Sequence, residues 1–336
     1  MLLNFEQIKA ITQGACYLDN TDGTVGFHRF NQEEEAMYAL TKFQSRPLTP
    51  AGVQLRFRTD GDGLNIAFET AQACTRTYFT IDIFVNDKLC KRIQNFDEAT
   101  IPEKYPGVPF PLGAFSDNAD LGEGEKTVRI VLPWAVLLRL QTLEVENATY
   151  VTPAPRAKKI LMYGDSITHG FDALYASQSY ANQLADALDA EVYNKAIGGE
   201  VFVPALSAIG NDFTPDYITV AYGTNDWRNR SWEEFDKHCR GFYHNLAAAY
   251  PDTPILAITP IWRTLQEREN FQCGPFRGIH ENICKHTADL PNVTVIDGYD
   301  IVPHYSDYFA DLTLHPNGAG YDRYFEGLKP YLEQYR

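Results

Sequence analysis

Four short segments hold the residues best suited to chemistry in this 336-residue chain. They are Gly164-Asp165-Ser166-Ile167-Thr168-His169-Gly170, Asn194-Lys195-Ala196-Ile197-Gly198-Gly199-Glu200, Gly223-Thr224-Asn225-Asp226 and Asp311-Leu312-Thr313-Leu314-His315-Pro316-Asn317. Together they contain the components of acyl transfer. A serine hydroxyl is a weak nucleophile until a base takes its proton, and a histidine titrating near neutrality is the usual base. Ser166 and His315 are the candidates. The tetrahedral intermediate needs donors aimed at its oxyanion. The Ser166 amide, the Gly199 amide and the Asn225 carboxamide offer three. Glycine lets the backbone approach closely, and asparagine donates without carrying charge.

These segments need elements that bring them together. Three of them follow short apolar runs, at residues 160–163, 192–193 and 217–221, and further runs lie at 255–259 and 293–296. Between the runs, residues 179–188 have helical spacing, and Ser231-Trp232-Glu233-Glu234 opens a long helix with a capping box. Strands alternating with helices predict an α/β fold, a parallel sheet covered by helices on both faces. In such sheets ligands bind at the carboxyl ends of the strands, where these segments fall.

Residues 1–150 read differently. Residues 53–57 and 64–68 alternate apolar and polar side chains, and Asp60-Gly61-Asp62-Gly63 between them predicts a hairpin turn. Residues 78–85, 89–93, 128–132 and 143–145 continue the pattern. Many short strands with polar turns predict an all-β jelly roll or sandwich. Residues 151–157, with Pro153 and Pro155 and no periodicity, read as the linker, leaving 158–336 as the second domain.

The four segments resemble the conserved blocks of SGNH/GDSL hydrolases, in that family's chain order, over residues 158–336. By that resemblance Ser166 is the nucleophile, Gly199 and Asn225 complete the oxyanion hole, and His315, followed by Pro316, is the base. The family's third catalytic residue is an Asp three positions before the His. Here that position is Leu312, and Asp311 lies one further back. In an extended segment these two positions point to opposite sides. A bulge or a helical turn would bring Asp311 to His315 Nδ1; otherwise a backbone carbonyl orients the ring and leaves a Ser–His dyad.

A β-rich domain ahead of such a domain is similar to the layout of the carbohydrate esterases of family two. That likeness implies a serine esterase removing small acyl groups, acetyl above all, from sugars, with no metal or organic cofactor. Trp227, Trp262 and His169 lie near the strand ends and are expected substrate contacts. Two other readings compete: a lipid or thioester acylhydrolase of the same fold, and a carbohydrate-binding protein that has lost activity. His238 and His244 read as surface residues of the long helix, and His280 and His286 as helical residues with no metal-site pattern.

The resemblance implies a small-molecule or oligosaccharide ester as partner, and composition argues against two others. A net charge of −15 opposes nucleic-acid phosphates and anionic membranes. Self-association into a homo-oligomer stays open. The amino terminus, Met-Leu-Leu-Asn-Phe-Glu-Gln-Ile, lacks the basic and apolar regions of a signal peptide, which predicts a cytoplasmic protein; a mature secreted form would read the same. The six cysteines show no Cys-x-x-Cys spacing and are expected as reduced thiols.

Overall fold

Alternating side chains in the first part of the chain become two antiparallel sheets in the computed structural model, which describes residues 1–266 and 273–333. One sheet runs in the order Thr12–Gln13, Gln54–Thr59, Lys126–Val131, Thr80–Val85, Lys88–Gln94. The other runs Tyr17–Thr21, Thr24–His28, Val136–Glu146, Gly63–Gln72, Gly113–Asp120. Leu55 and Phe57 from the first sheet and Leu64, Ile66 and Phe68 from the second are buried in the core. Phe68 meets Phe79 edge-on, with ring centroids 5.8 Å apart.

The turn at Asp60–Gly63 does not close a hairpin. It carries the chain from one sheet to the other, because Gln54–Thr59 pairs with Lys126–Val131 while Gly63–Gln72 pairs with Val136–Glu146. The hairpin in this region is Thr80–Val85 with Lys88–Gln94, where Asn86 and Asp87 both take positive φ as a tight two-residue turn requires. Val151–Pro153 were expected in the linker. They form a strand against Gln54–Thr59, Thr152 opposite Arg58, since an edge strand tolerates a proline at its end. Two helices, Phe5–Ile11 and Gln32–Ala39, start at capping boxes built on Asn4 with Gln7 and Asn31 with Glu34.

The chain divides into two compact units. The first holds Met1–Ala157 with Leu174–Gln178 and Glu191–Asn194; the second holds Lys158–Ala173, Ser179–Ala190 and Lys195–Arg336. The second contains the parallel strands Lys158–Gly164, Tyr217–Ala221, Ile255–Ile258 and Val293–Ile296, hydrogen-bonded in that order. In parallel sheets, ligand sites form at a strand's carboxyl end, such as that of Lys158–Gly164. Ser166 lies at that end.

Helices Tyr180–Ala187, Trp232–Ala249, Gly278–Thr287 and Gly318–Leu332 alternate with these strands. Ser231 caps the longest, and Glu234 closes the capping box. Its residues Phe235, Cys239, Phe242 and Leu246 are buried at helical spacing. Among the described residues, no helix is long and apolar enough to cross a membrane.

Candidate active site

The strand Lys158–Gly164 ends in a single helical turn, Ser166–His169. Asp165 caps it, its Oδ1 accepting the Ile167 amide at 3.0 Å, and Gly170 ends it in the left-handed region at φ 108°. Ser166 is thereby fixed at the start of a helix. His315 Nε2 lies 2.9 Å from Ser166 Oγ. On the far side of the ring, Asp311 Oδ2 lies 2.8 Å from His315 Nδ1.

Asp311 reaches the ring because its segment is not extended. Leu312 takes φ 59°, which turns the backbone by the extra residue that separates Asp311 from the expected spacing. The Asp311 carboxylate then holds the turn: its Oδ1 accepts the amides of Thr313, Leu314 and His315 at 2.9, 2.7 and 3.1 Å. The Ala310 amide donates to the His315 carbonyl at 2.9 Å and closes the loop.

Charge follows this geometry. Burial alone would push the Asp311 carboxyl up, but the hydrogen bond and charge of His315, with the Leu314 and Thr313 amides, hold it well below the usual carboxylate range. Burial would likewise keep the His315 ring neutral. Hydrogen bonds and charges from Asp172 and Asp311 overturn that and raise it to about 9. Asp172 is a residue that sequence reasoning missed: its Oδ2 lies 3.3 Å from His315 Nδ1. A second Asp six positions after Ser166 is the one signal that could have found it.

The expected oxyanion donors come from the neighbouring strand ends. Gly199 sits at φ 83° in a turn closed by the Glu200 amide on the Ile197 carbonyl at 3.0 Å. A side chain at that φ would be strained. At Gly198 a Cβ would meet the Phe171 ring at 2.5 Å. Asn225, in the helix Thr224–Asn229, spends one hydrogen of its Nδ2 on the Glu200 carbonyl at 3.0 Å, which orients the amide and leaves the second hydrogen to donate. Asp226 is buried and accepts the Phe202 amide at 3.2 Å, fixing the same loop. Burial raises Asp226 to about 7 against the pull of Arg230, and raises Asp165 to about 6.

Two of the three expected substrate contacts do not present a ring face. Trp227 is 1% exposed; its Nε1 donates to the Gly274 carbonyl at 2.9 Å and its ring packs edge-on against Phe276. His169 is also 1% exposed, and its Nδ1 accepts the Gly198 amide at 3.1 Å. It supports the glycine turn from beneath. Trp262 remains half-buried, stacked on His304 with centroids 5.3 Å apart. The helical histidines do find acids: His286 Nε2 lies 2.8 Å from Asp236, and His280 Nδ1 lies 3.8 Å from Asp297.

Residues 162–323 match the model of the GDSL-like lipase/acylhydrolase family, and that span contains all four strand-end segments. The second domain belongs to the GDSL-like lipase/acylhydrolase family. The chain is accordingly a carboxylic ester hydrolase. No curated protein matches it at a significant level. Solved structures are similar in fold across both domains. Salicylyl-acyltransferase SsfX3 from a tetracycline biosynthetic pathway superposes with a TM-score of 0.79 at 20% identity, covering 96% of this chain and 94% of its own. A protein described as a GDSL-like lipase from Bacteroides ovatus gives 0.74 at 17% identity, covering 100% and 97%. A family two carbohydrate esterase from Cellvibrio japonicus gives 0.65 at 17% identity, covering 98% and 96%. The GDSL domain thus carries a β-rich partner domain in fold relatives as well.

Proposed function

We propose that this chain removes small acyl groups, acetyl above all, from carbohydrate esters through an acyl-enzyme on Ser166. The observation that carries the reading is the line of contacts from Ser166 Oγ to His315 Nε2 at 2.9 Å and from His315 Nδ1 to Asp311 Oδ2 at 2.8 Å. Ser166 Oγ attacks the ester carbonyl while its proton passes to His315 Nε2. The ring becomes an imidazolium held in place by the carboxylate on Nδ1. The Ser166 and Gly199 amides and the Asn225 Nδ2 receive the oxyanion. His315 then returns the proton to the departing sugar hydroxyl and activates a water for deacylation.

Carbohydrate as the alcohol is favoured by the fold likeness to family two carbohydrate esterases and by polar groups at the strand ends. Arg228 and Asn229, both exposed, follow Trp227 there. A half-buried Trp262 offers an aromatic surface of the kind that sugar rings stack on.

The test is turnover of nitrophenyl acetate beside longer nitrophenyl esters, then acetate release from a panel of acetylated sugars. The expected result is a burst of nitrophenol, activity that falls as the acyl chain lengthens, and acetate from at least one sugar. Loss of all turnover in Ser166→Ala should accompany it. Preference for long acyl chains would replace this reading with a lipid acylhydrolase, and no turnover by folded protein with a binding protein.

A further inference from the structure

The Nδ1 side of His315 holds more than one acid. Asp172 Oδ2 stands 3.3 Å from Nδ1, against 2.8 Å for Asp311 Oδ2. The two carboxylates arrive on different segments. Asp311 belongs to the loop that carries the histidine, whereas Asp172 lies six residues past Ser166, in the turn that follows the nucleophile.

That turn is tightly fixed. The Phe171 amide donates to the Ser166 carbonyl at 2.9 Å, and the Ala173 amide to the Gly170 carbonyl at 3.1 Å. The Tyr321 hydroxyl, fully buried, lies 3.0 Å from the Ile167 carbonyl and 2.8 Å from that of Phe171. The Phe171 ring lies against the His315 ring with centroids 5.7 Å apart. Asp172 itself takes φ 65° and has no exposed surface. A left-handed non-glycine residue persists only where its surroundings impose it, and such residues cluster at functional sites. A buried carboxylate is costly as well, unless donors or a cation face it. Both features meet in one side chain, and its carboxylate is aimed at the ring nitrogen opposite the serine.

We propose that Asp172 is a second positioning acid for His315, sharing the Nδ1 proton with Asp311 and holding the ring in register when Asp311 is lost. The proposal rests on the reading of Ser166 as nucleophile and His315 as base. The proton of Ser166 moves to Nε2; the proton on Nδ1 stays there throughout. Two carboxylates this close repel each other, and a positive ring facing both relieves that repulsion. The pair therefore favours the imidazolium more strongly than one acid would. Other charged groups sense the same site. Asp165, in the nucleophile turn, feels the His315 charge, and Arg263 feels Asp165 and Asp311.

The experiment compares kcat/KM for nitrophenyl acetate against pH in the wild type, Asp172→Asn, Asp311→Asn, the double variant and Ser166→Ala. Asparagine accepts left-handed backbone as aspartate does, so the turn survives the change. Thermal melts verify folding. Asp311→Asn is expected to keep activity within about 100-fold of wild type, because Asp172 still holds Nδ1. Asp172→Asn is expected to move the acid limb of the profile down by about one pH unit, since the charged ring loses one of its two acids. The double variant is expected to lose on the order of 10^4-fold, the loss that follows when a catalytic histidine is left without its acid. An unmoved limb in Asp172→Asn, or a double variant no worse than Asp311→Asn, overturns the proposal. So does a full 10^4-fold loss in folded Asp311→Asn alone, which keeps the test decisive should Asp172→Asn not fold. Turnover surviving in Ser166→Ala would instead overturn the underlying reading, independently of either acid.

Discussion

His28, in the first domain, and His315, in the second, each face two carboxylates. Asp19 Oδ2 lies 2.8 Å from His28 Nε2, and Glu35 Oε1 lies 2.7 Å from its Nδ1. The ring is stacked on Tyr17 with centroids 4.1 Å apart, and Arg139 clamps Asp19 with contacts of 2.6 and 3.1 Å. Both nitrogens of His28 are engaged by acids, so the ring has no position left for a reacting group. His315 has both acids on Nδ1, and Nε2 faces a hydroxyl. The same three functional groups thus make a structural cation in one case and a base in the other. What separates them is how the acids are distributed over the two nitrogens.

Substitution should split the pair most sharply in turnover. Ser166→Ala or His315→Ala is expected to lower kcat on the order of 10^6-fold with little change in melting temperature. His28→Gln should leave esterase activity as it was; a matching loss would collapse the distinction. Next in size, Asn225→Ala is expected to lower kcat by about 10^2- to 10^3-fold, with KM nearly unchanged. Steady-state kinetics with nitrophenyl acetate read both quantities, and an effect confined to KM would remove Asn225 from the oxyanion hole.

The stability counterpart is His28→Gln, which removes charged hydrogen bonds and should cost about 2 kcal/mol in denaturant titration. The two sites should also respond to pH in opposite directions. Burial works against a charged His28 ring, but its bonds to Glu35 and Asp19 raise it above its ordinary 6.5. Its stabilisation is therefore complete below that value and is lost as pH rises through the folded one. Asp19 is lowered by the Arg139 hydrogen bond from its ordinary 3.8, so its contribution holds above that value and is lost as pH falls. The cluster is strongest in mildly acidic solution. Catalysis requires a neutral His315, raised to about 9, so kcat/KM should climb with pH up to that region. A melting temperature and a rate profile that rose and fell together would break the contrast. The smallest effect is at Leu312: Leu312→Asn should raise stability by about 0.5 kcal/mol, because asparagine tolerates φ near 59° better than leucine.

Much of the second domain is legible in the sequence, because its apolar runs are short, bounded and separated by helical spacing. The segments after those runs name Ser166, Gly199 and Asn225 directly, and His315 is named by its own segment further on. The first domain is less legible. Alternation finds Gly63–Gln72 and Gln54–Thr59 but not which sheet each joins, since sheet membership is set by long-range pairing. The capping boxes at Asn4 and Asn31 were readable signals, obscured by the surrounding strand pattern. Trp227 and His169 illustrate a different limit: nearness to a motif says nothing about which way a ring points, and both rings turn inward. Asp172 carries no motif at all. It reaches His315 only because a left-handed turn follows the nucleophile helix.

The loop from Asp311 to His315 bears on anyone who would transplant this site into another scaffold. Leu312 works as an absorbed insertion: its left-handed backbone takes up one surplus residue, and the three amides on Asp311 Oδ1 lock the detour in place. A graft specified by sequence spacing would delete the surplus residue or replace the acid. A graft specified by the carboxylate's four contacts would tolerate loops of different lengths. For this site the transferable unit is a hydrogen-bond pattern, and the residue count is only one way of encoding it.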